Sequence, residues 1–387
     1  MDISTFLEPS SFSDTSLSAD TDTHRITVYT EIGKFPDLTH TDIAIVGVPE
    51  TRYAEGNVYT HNAPDVIREH FYNLCQHTPS VHIADIGNIV IGRRPNDTYA
   101  ALSEVMVYLF ELNIIPLVLG GSQDLTYAMY KAYAKRKQVM NLMLLDANID
   151  LGDPEQGITS RSYLSKIIVD HPNYLFFLAQ AGFQTYLTDA QALQLLENLS
   201  FEVYRLGAIR KDLTAFEPVI RGVDALSIDM SVVRYSDSPG HENSQPVGLF
   251  GEEICQLVRY AGTNENLSSI GFFEYNPQYD NNGQSAQLIA IMMWYFIDGY
   301  SNRKHEYPHL NKDNLTKYIV TIADSDENLV FYKSKISDRW WVEVPSHKPH
   351  HNTQNHRYII PCSYADYETA MRNQIPERWL LAFRRLA

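Results

Sequence analysis

Positive charge is in short supply in this sequence. Lysine and arginine number 31 against 47 aspartates and glutamates, a formal net charge of −16. An acidic surface repels nucleic acid and anionic membrane unless basic residues gather on one face, and no such gathering is visible, so neither partner is expected. Cysteine is scarcer still: Cys75, Cys255 and Cys362 are the full set, far apart and in no metal-ligand spacing. That excludes a disulfide scaffold, suits a reducing compartment, and predicts three buried, small apolar side chains. No uncharged apolar run reaches the roughly 18 residues of a membrane-spanning helix, and the opening residues "MDISTFLEPSSFSDTSLSADTDTH" offer neither a basic start nor an apolar segment. A cytoplasmic protein without a membrane partner is expected. Phosphate loops and Gly-x-Gly-x-x-Gly fingerprints are also missing, and spacing alone makes no case for a Ser-His-Asp or Cys-His set.

What is present is an alternation of short apolar runs with helical patterns. "TDIAIVGVP", "VHIADIG", "IIPLVLGG", "NLMLLDAN", "YLFFLA", "EVYRLG", "DALSIDM" and "LSSIGFFEYN" read as buried strands, with helices such as "APDVIREHFYNL" and "SAQLIAIMMWYFIDGY" between them. Strands apolar on both faces and separated by helices imply an α/β fold, a three-layer, doubly wound parallel sheet. Residues 1–40 read as a polar leader and 41–302 as the α/β core. Residues 303–387 read as an addition of antiparallel strands and terminal helices packed on the core, because "KYIVTI", "NLVFYKSK" and "RWWVEVP" are β-branched and aromatic runs separated by turn residues.

In a parallel α/β sheet, ligands bind beyond the carboxyl ends of the strands. That rule selects Gln123, Asp146, Asn148, Asp150, Asp229, Ser231 and Glu274, the polar residues that follow the apolar runs. "LVLGGSQDLT" poses the question most sharply: a buried strand stops at two glycines and then delivers Ser122 and Gln123.

The blocks around these residues resemble the ureohydrolases: arginase, agmatinase and formimidoylglutamase. "AIVGVPE" and "NAPDVIR" look like the family's first strand and Pro-containing helix start. "LGGSQDLT" stands where the family has Gly-Gly-Asp-His-Ser, "LLDANID" where it has Asp-Ala-His-x-Asp, and "SIDMSVVRYSD" where it has Ser-x-Asp-x-Asp-x-x-Asp-Pro. "PVGLFGEE" and "FFEYNPQYDNNGQSAQLIA" complete the series in the expected order. The resemblance implies an arginase-like fold and a pair of manganese ions held by two histidines and four aspartates. A bridging water, acidified by the pair, then attacks a guanidinium or amidinium carbon. Carried over position by position, the six ligands become Gln123, Asp146, Asn148, Asp150, Asp229 and Ser231, of which three keep the family's residue type.

The losses fall unevenly. The first metal would see Gln123, Asp146, Asp150 and Asp229; the second would see Asp146, Asn148, Asp229 and Ser231, and has lost both ligands it does not share. Amide and hydroxyl oxygens hold transition metals weakly without imidazole, so dinuclear manganese is not expected. Two readings remain for the first site. It could hold one divalent cation, manganese, magnesium or calcium, or Gln123 and Asn148 could tie the aspartates into a metal-free network. Without a cation, clustered buried carboxylates need compensation. Arg234 is the candidate counter-charge.

The family's proton-shuttling histidine has no counterpart in "LGDPEQGITSRSYLSKII", where Tyr163 or Ser162 falls nearest. Glu274 keeps the position of the acid that grips the substrate's cationic head, with a turn-stabilising carboxylate as the alternative. Asp150 and Glu274 are thus the residual catalytic candidates. His347, His350, His351 and His356 read as solvated loop rather than metal site. Trp340, Trp341 and Trp379 read as packing between the C-terminal addition and the core, with a partner-binding face as the alternative. The reading that results is a ureohydrolase-fold protein that has lost dinuclear hydrolysis and acts in binding or assembly. The alternative is a single-metal hydrolase of linear amidine C–N bonds, most like formimidoylglutamase. A small amidine, guanidine or amine ligand is implied in either case. A homo-oligomer or a protein partner stays open.

Overall fold

The computed structural model describes residues 2–11, 26–75, 80–153, 155, 157–308, 313–323, 328–346, 353–354 and 357–386. Two short strands come first, β1 (Leu7–Glu8) and β2 (Ile26–Val28), in a stretch whose polar composition predicts none. The eight apolar runs follow as β3 (Ile43–Val48), β4 (Ile83–Ile89), β5 (Ile115–Gly120), β6 (Met140–Leu145), β7 (Leu175–Phe183), β8 (Glu202–Arg205), β9 (Ala225–Asp229) and β10 (Ser269–Phe273). Between them run α1 (Ala63–Phe71), α2 (Pro95–Glu111), α3 (Leu125–Lys135), α4 (Tyr163–Val169), α5 (Ala190–Asn198), α6 (Leu206–Lys211), α7 (Glu217–Ile220) and α8 (Gly251–Thr263), and α9 (Gln284–Ser301) follows β10.

These strands form one sheet in the order β1-β4-β3-β5-β10-β9-β6-β7-β8, with β2 also on β4. Every pairing among them is parallel except β1 with β4. The sheet is therefore mixed at one edge, where the leader supplies both unexpected strands. Strands β3, β5, β6, β9 and β10 are buried along their whole length. Both faces must then be covered, which is why these runs are continuously apolar instead of alternating. Helices α1, α8 and α9 pack one face and α2, α3 and α4 the other, each with its own apolar core. Arg68 of α1 is fully buried and donates to both oxygens of Asp85 on β4, at 2.7 and 3.0 Å. A buried guanidinium persists only with such pairing, so this link fixes where α1 sits on the sheet.

The topology also positions the strand ends. After β5 the chain skips two places, and β10 and β9 later fill the gap before β6. Strands β5, β10, β9 and β6 are thus neighbours, and their carboxyl ends bring Gln123, Glu274, Asp229 and Asp146 to one place. Register refines this: Phe273 lies beside Asp229 and Leu145 beside Ile228, so Asp146 emerges next to Asp229.

C-terminal to α9, β11 (Leu315–Thr321), β12 (Asn328–Ser334), β13 (Trp340–Pro345), β14 (Thr353–Gln354) and β15 (Arg357–Cys362) form a second, antiparallel sheet in the order β11-β12-β13-β15-β14. Helices α10 (Tyr364–Met371) and α11 (Glu377–Leu386) pack against it. Trp340, Trp341 and Trp379 are all buried, and Trp379 donates its indole N–H to the Glu343 carbonyl at 2.8 Å. Arginines bind the second sheet to the first domain's helices. Arg221 lies over the Trp341 ring at 4.5 Å and donates to the Trp340 carbonyl, and Arg378 donates to the Pro218 carbonyl. His347, His350, His351 and His356 lie outside the described residues. Of the cysteines, Cys255 and Cys362 are buried, but Cys75 is exposed, which corrects the expectation of three buried thiols.

The glycine pair after β5 is required by contact. A methyl group on Gly120 would lie 2.1 Å from the Phe273 ring, and one on Gly121 would lie 2.1 Å from the Glu50 carbonyl oxygen. A ring can shift; a backbone carbonyl that accepts the Ser122 N–H cannot do so without moving the strand. Gly121→Ala is therefore expected to lower stability by about 1–3 kcal/mol or more. Denaturant unfolding of the two proteins measures this.

Candidate functional site

Asp146, Asp150 and Asp229 converge, with one carboxylate oxygen of each lying within 4.8 Å of the others, and all three are buried. The turns that carry them explain how. Asp146 Oδ1 accepts the Asn148 backbone N–H at 2.8 Å, and Asp229 Oδ1 accepts the Ser231 N–H at 2.6 Å. Each aspartate thus caps the turn that follows its own strand, which fixes its side chain before any ligand arrives.

Gln123 occupies the middle. Oriented so that its amide nitrogen faces the carboxylates, it donates to Asp146 Oδ2 at 3.0 Å and to Asp150 Oδ2 and Asp229 Oδ2 at 3.1 Å, while its oxygen accepts from the Tyr163 hydroxyl at 3.2 Å. The donor pattern decides that orientation, since the reverse would press an oxygen against three acceptors. Ser122 faces the other way. Its Oγ and N–H both approach the Glu50 carbonyl, at 3.4 and 3.2 Å, and hold the loop. Strand β5 therefore delivers Gln123 to the carboxylates and uses Ser122 to brace the delivery.

The counter-charge is Arg161. Its Nη1 donates to Asp150 Oδ1 at 3.2 Å from a side chain 31% exposed, so it closes the cluster on the solvent side. Arg234, expected in that role, is instead paired with Asp237 at 2.8 Å and stacked over the Phe250 ring at 3.9 Å. The reason is the backbone: Arg234 N–H bonds to the Leu249 carbonyl, which leads the chain away from Asp229. A second residue not anticipated from the sequence is His241. It is buried, with Nε2 3.9 Å from Asp229 Oδ1 and Nδ1 accepting the Asn243 N–H at 2.9 Å. Its neutral form therefore carries its proton on Nε2, facing the aspartate. The signal for both was available. Arg161 lies within the window searched for a histidine, and His241 is a lone imidazole between the "SIDM" and "PVGL" blocks.

Asn148 is half-buried, with its carbonyl accepting from Gln180 Nε2 at 2.7 Å. Ser231 Oγ donates to Asp146 Oδ1 at 3.3 Å. Ser162 is spent on its own loop, accepting from the Thr159 N–H at 2.9 Å and donating to the Gly157 carbonyl at 3.0 Å. Glu274 follows β10 with φ of 64°, in the left-handed region. Its Oε1 accepts the Gln123 N–H and its Oε2 the Asn57 side-chain N–H, both at 2.8 Å. Asn57 also donates to the Glu274 carbonyl at 2.8 Å. Glu274 thereby ties β10 to β5 and holds Gln123 from behind.

Electrostatics follow from this crowding. Burial, with Asp150 and Asp229 alongside, pushes Asp146 well above the usual carboxylate range. Burial also lifts Asp150, to about 6, against the pull of Arg161 and with Asp229 adding to the rise. Glu274 is raised by burial and then by Asp229. Burial holds His241 below its ordinary value, outweighing the attraction of Asp229.

The donor set can be tested against the metals that the resemblance implies. The second ion's donor set does not fit what the resemblance implies: the Asn148 amide and the Ser231 hydroxyl, the latter donating to Asp146 Oδ1, stand where imidazole and carboxylate are required. The first position has the oxygen chemistry of a single hard cation, provided that Gln123 turns its oxygen inward. One amide cannot do both. Either its nitrogen bonds the carboxylates or its oxygen joins them around an ion.

Comparison with known proteins agrees with this fold. Residues 41–298 match the arginase family model, so β11 to α11 lie outside the match. The formimidoylglutamase of Macrococcus caseolyticus is 25% identical over 269 residues, covering 66% of this chain and 84% of that protein. That of Bacillus subtilis is 22% identical over 281 residues, covering 66% and 86%. Among solved structures, a Trypanosoma cruzi formiminoglutamase with manganese superimposes with a TM-score of 0.63 at 18% identity, over 68% of this chain and 95% of that one. No described helix is long and apolar enough to cross a membrane.

Carboxyl groups raised in the folded state bind protons that the unfolded chain, titrating near 3.9, has already released. Their contribution to stability is full at low pH and is lost as pH rises through the folded values, about 6 for Asp150. Stability is therefore expected to fall between about pH 4 and pH 7, from the unfolded value up through the folded ones. Asp150→Asn should flatten that slope, and Arg161→Ala, which strands the buried carboxylate, should lower stability at pH 8 by about 3 kcal/mol. Asp224, raised to about 7 by burial, lies at the other end of the sheet and adds a slope that Asp150→Asn leaves in place. Urea unfolding of the three proteins at several pH values measures both effects; equal slopes for wild type and Asp150→Asn would contradict the assignment.

Proposed function

The chain belongs to the arginase family, and from that premise we propose that its strand-end cluster has exchanged two-metal hydrolysis for an internally compensated polar knot, leaving a binding or assembly protein. The observation that carries this reading is the position of Gln123: a single amide nitrogen lies 3.0–3.1 Å from one oxygen of each of Asp146, Asp150 and Asp229. With Arg161 on Asp150, each of the three carboxylates already meets a protein donor, and burial favours the uncharged form of Asp146. The loss of catalysis follows from chemistry. Tyr163 stays protonated because burial beside Asp150 and Asp146 raises it far above neutral pH, so it cannot shuttle protons in the place of a histidine. Glu274, tied to Asn57 and the Gln123 backbone, acts as a positioning carboxylate that holds the knot together.

A second reading has its own support. The aspartate triad, with the Gln123 oxygen turned in, could hold one divalent cation, and the relatives that match along the core are formimidoylglutamases. Such an ion would supply Lewis-acid polarisation of a linear amidine. Glu274 would then bind the substrate's cationic end, and Asp150 would be the nearest titrating group to receive a proton.

Elemental analysis of protein purified without a histidine tag separates the two. Less than one manganese per chain is expected, because the Gln123 amide already occupies the first position and the second lacks both of its unshared ligands; about one tightly held ion per chain would favour the second reading, and two would overturn both. Restoring donors gives the converse. Gln123→His, Asn148→His and Ser231→Asp combined are expected to raise manganese affinity at least about tenfold, since each returns one first-row metal donor. Unchanged affinity in calorimetric titration would mean that these positions are not the equivalents of the family's ligands.

A further inference from the structure

A second polar site lies at the opposite, amino end of the strands, where the α/β domain meets the C-terminal sheet. An open cleft of about 760 Å³ runs beside the turn between α3 and β6 and the Asp224 that precedes β9. Asn141, Phe176, Asp224 and Tyr358 line both this cleft and a small chamber behind it, of about 30 Å³. That chamber has room for a group of about the size of a water molecule. The cleft itself is within the range of small-molecule sites.

Two buried polar atoms at this place have no hydrogen-bond partner among the described residues: Asn141 Oδ1, on a residue 7% exposed, and Arg385 Nε. An acceptor and a donor left unmet at one chamber each carry a desolvation cost of about 1–3 kcal/mol unless a visitor supplies the complement. The known partners do not do so. The Asn141 N–H is held by Asp224 Oδ2 at 2.8 Å, and Arg385 Nη1 by Glu202 at 3.3 Å. The outer cleft repeats the same duality. Arg136 and Lys137, both exposed, line it together with Asp224 and Glu265. Phe176 and Tyr358, with ring centroids 5.8 Å apart, form an aromatic wall. This charge pattern is unusual on a chain with a net charge of −16, whose surface would favour cations alone.

We propose that this junction binds a small zwitterion of the amino-acid class, with its ammonium group toward Asn141 Oδ1 and Asp224 and its carboxylate toward Lys137 and Arg136. A cation alone would leave Arg136 and Lys137 unmatched, and an anion alone would leave Asn141 Oδ1, Asp224 and Glu265 unmatched. The site depends on β15 and α11 as well as on β6, so occupancy would stiffen the junction between the two sheets. It is independent of whatever the aspartate cluster holds.

Isothermal titration of the full-length protein with the twenty L-amino acids, one at a time, tests this. At least one is expected to bind saturably, and Lys137→Glu and Asp224→Asn are each expected to weaken it tenfold or more. Lys137 is exposed, so its variant is read even if Asp224→Asn does not fold. The bound amino acid's decarboxylated and deaminated analogues are the remaining arms, and both are expected to bind at least tenfold more weakly. No saturable binding by any of the twenty, which would leave the chamber to water, overturns the proposal. So does binding that both variants leave unchanged, or binding matched by either one-charge analogue.

Discussion

Three carboxylates buried at the ends of two adjacent parallel strands are the constraint around which the rest of this molecule is arranged. Asp146, Asp150 and Asp229 cannot stay ionised together in a shared dry site unless something positive or proton-donating faces them. The loops that surround the cluster are organised to meet that demand. Gln123 comes from the end of β5 and Arg161 from the loop before α4, while Glu274 and Asn57 hold Gln123 in position from behind. The glycines before Gln123 follow from the same demand, since the chain must pass against Phe273 and the Glu50 carbonyl to deliver that amide.

Much of this was legible in advance. The eight apolar runs became β3 to β10 because continuous burial on both faces leaves a signature that short-range composition carries. The strand-end rule then located Gln123, Asp146, Asp229 and Glu274 without any knowledge of contacts. Strands β1 and β2 were not legible, being two and three residues long in a polar leader and paired in the sheet with β4 alone. The counter-charge was misplaced for a related reason. Arg234 is five residues from Asp229, yet its backbone bond to Leu249 and its stacking on Phe250 carry it elsewhere. Arg161 and His241 reach the cluster through folding of loops whose direction composition does not encode.

The cluster also clarifies what the family fold is retaining here. The turns capped by Asp146 and Asp229 use their Oδ1 atoms structurally: removing either would free the backbone N–H groups of Asn148 or Ser231 inside the protein. Asp150, Gln123, Asn148 and Ser231 make no such backbone cap with their side chains among the described residues. The C-terminal sheet, outside the family match, then adds an arginine-rich junction through Arg221, Arg378 and Arg385 at the far end of the strands.

The central claim is that protein donors, and not a metal, hold the aspartate cluster together. A ligand that binds only the folded state raises its melting temperature, and withdrawing that ligand lowers it. Thermal melting of the purified wild-type protein at pH 7.5, with and without excess EDTA, reads this directly. The account predicts the same midpoint in both samples. A midpoint lowered by the chelator and restored by manganese or magnesium would contradict it, and would place an ion among Asp146, Asp150, Asp229 and the Gln123 oxygen.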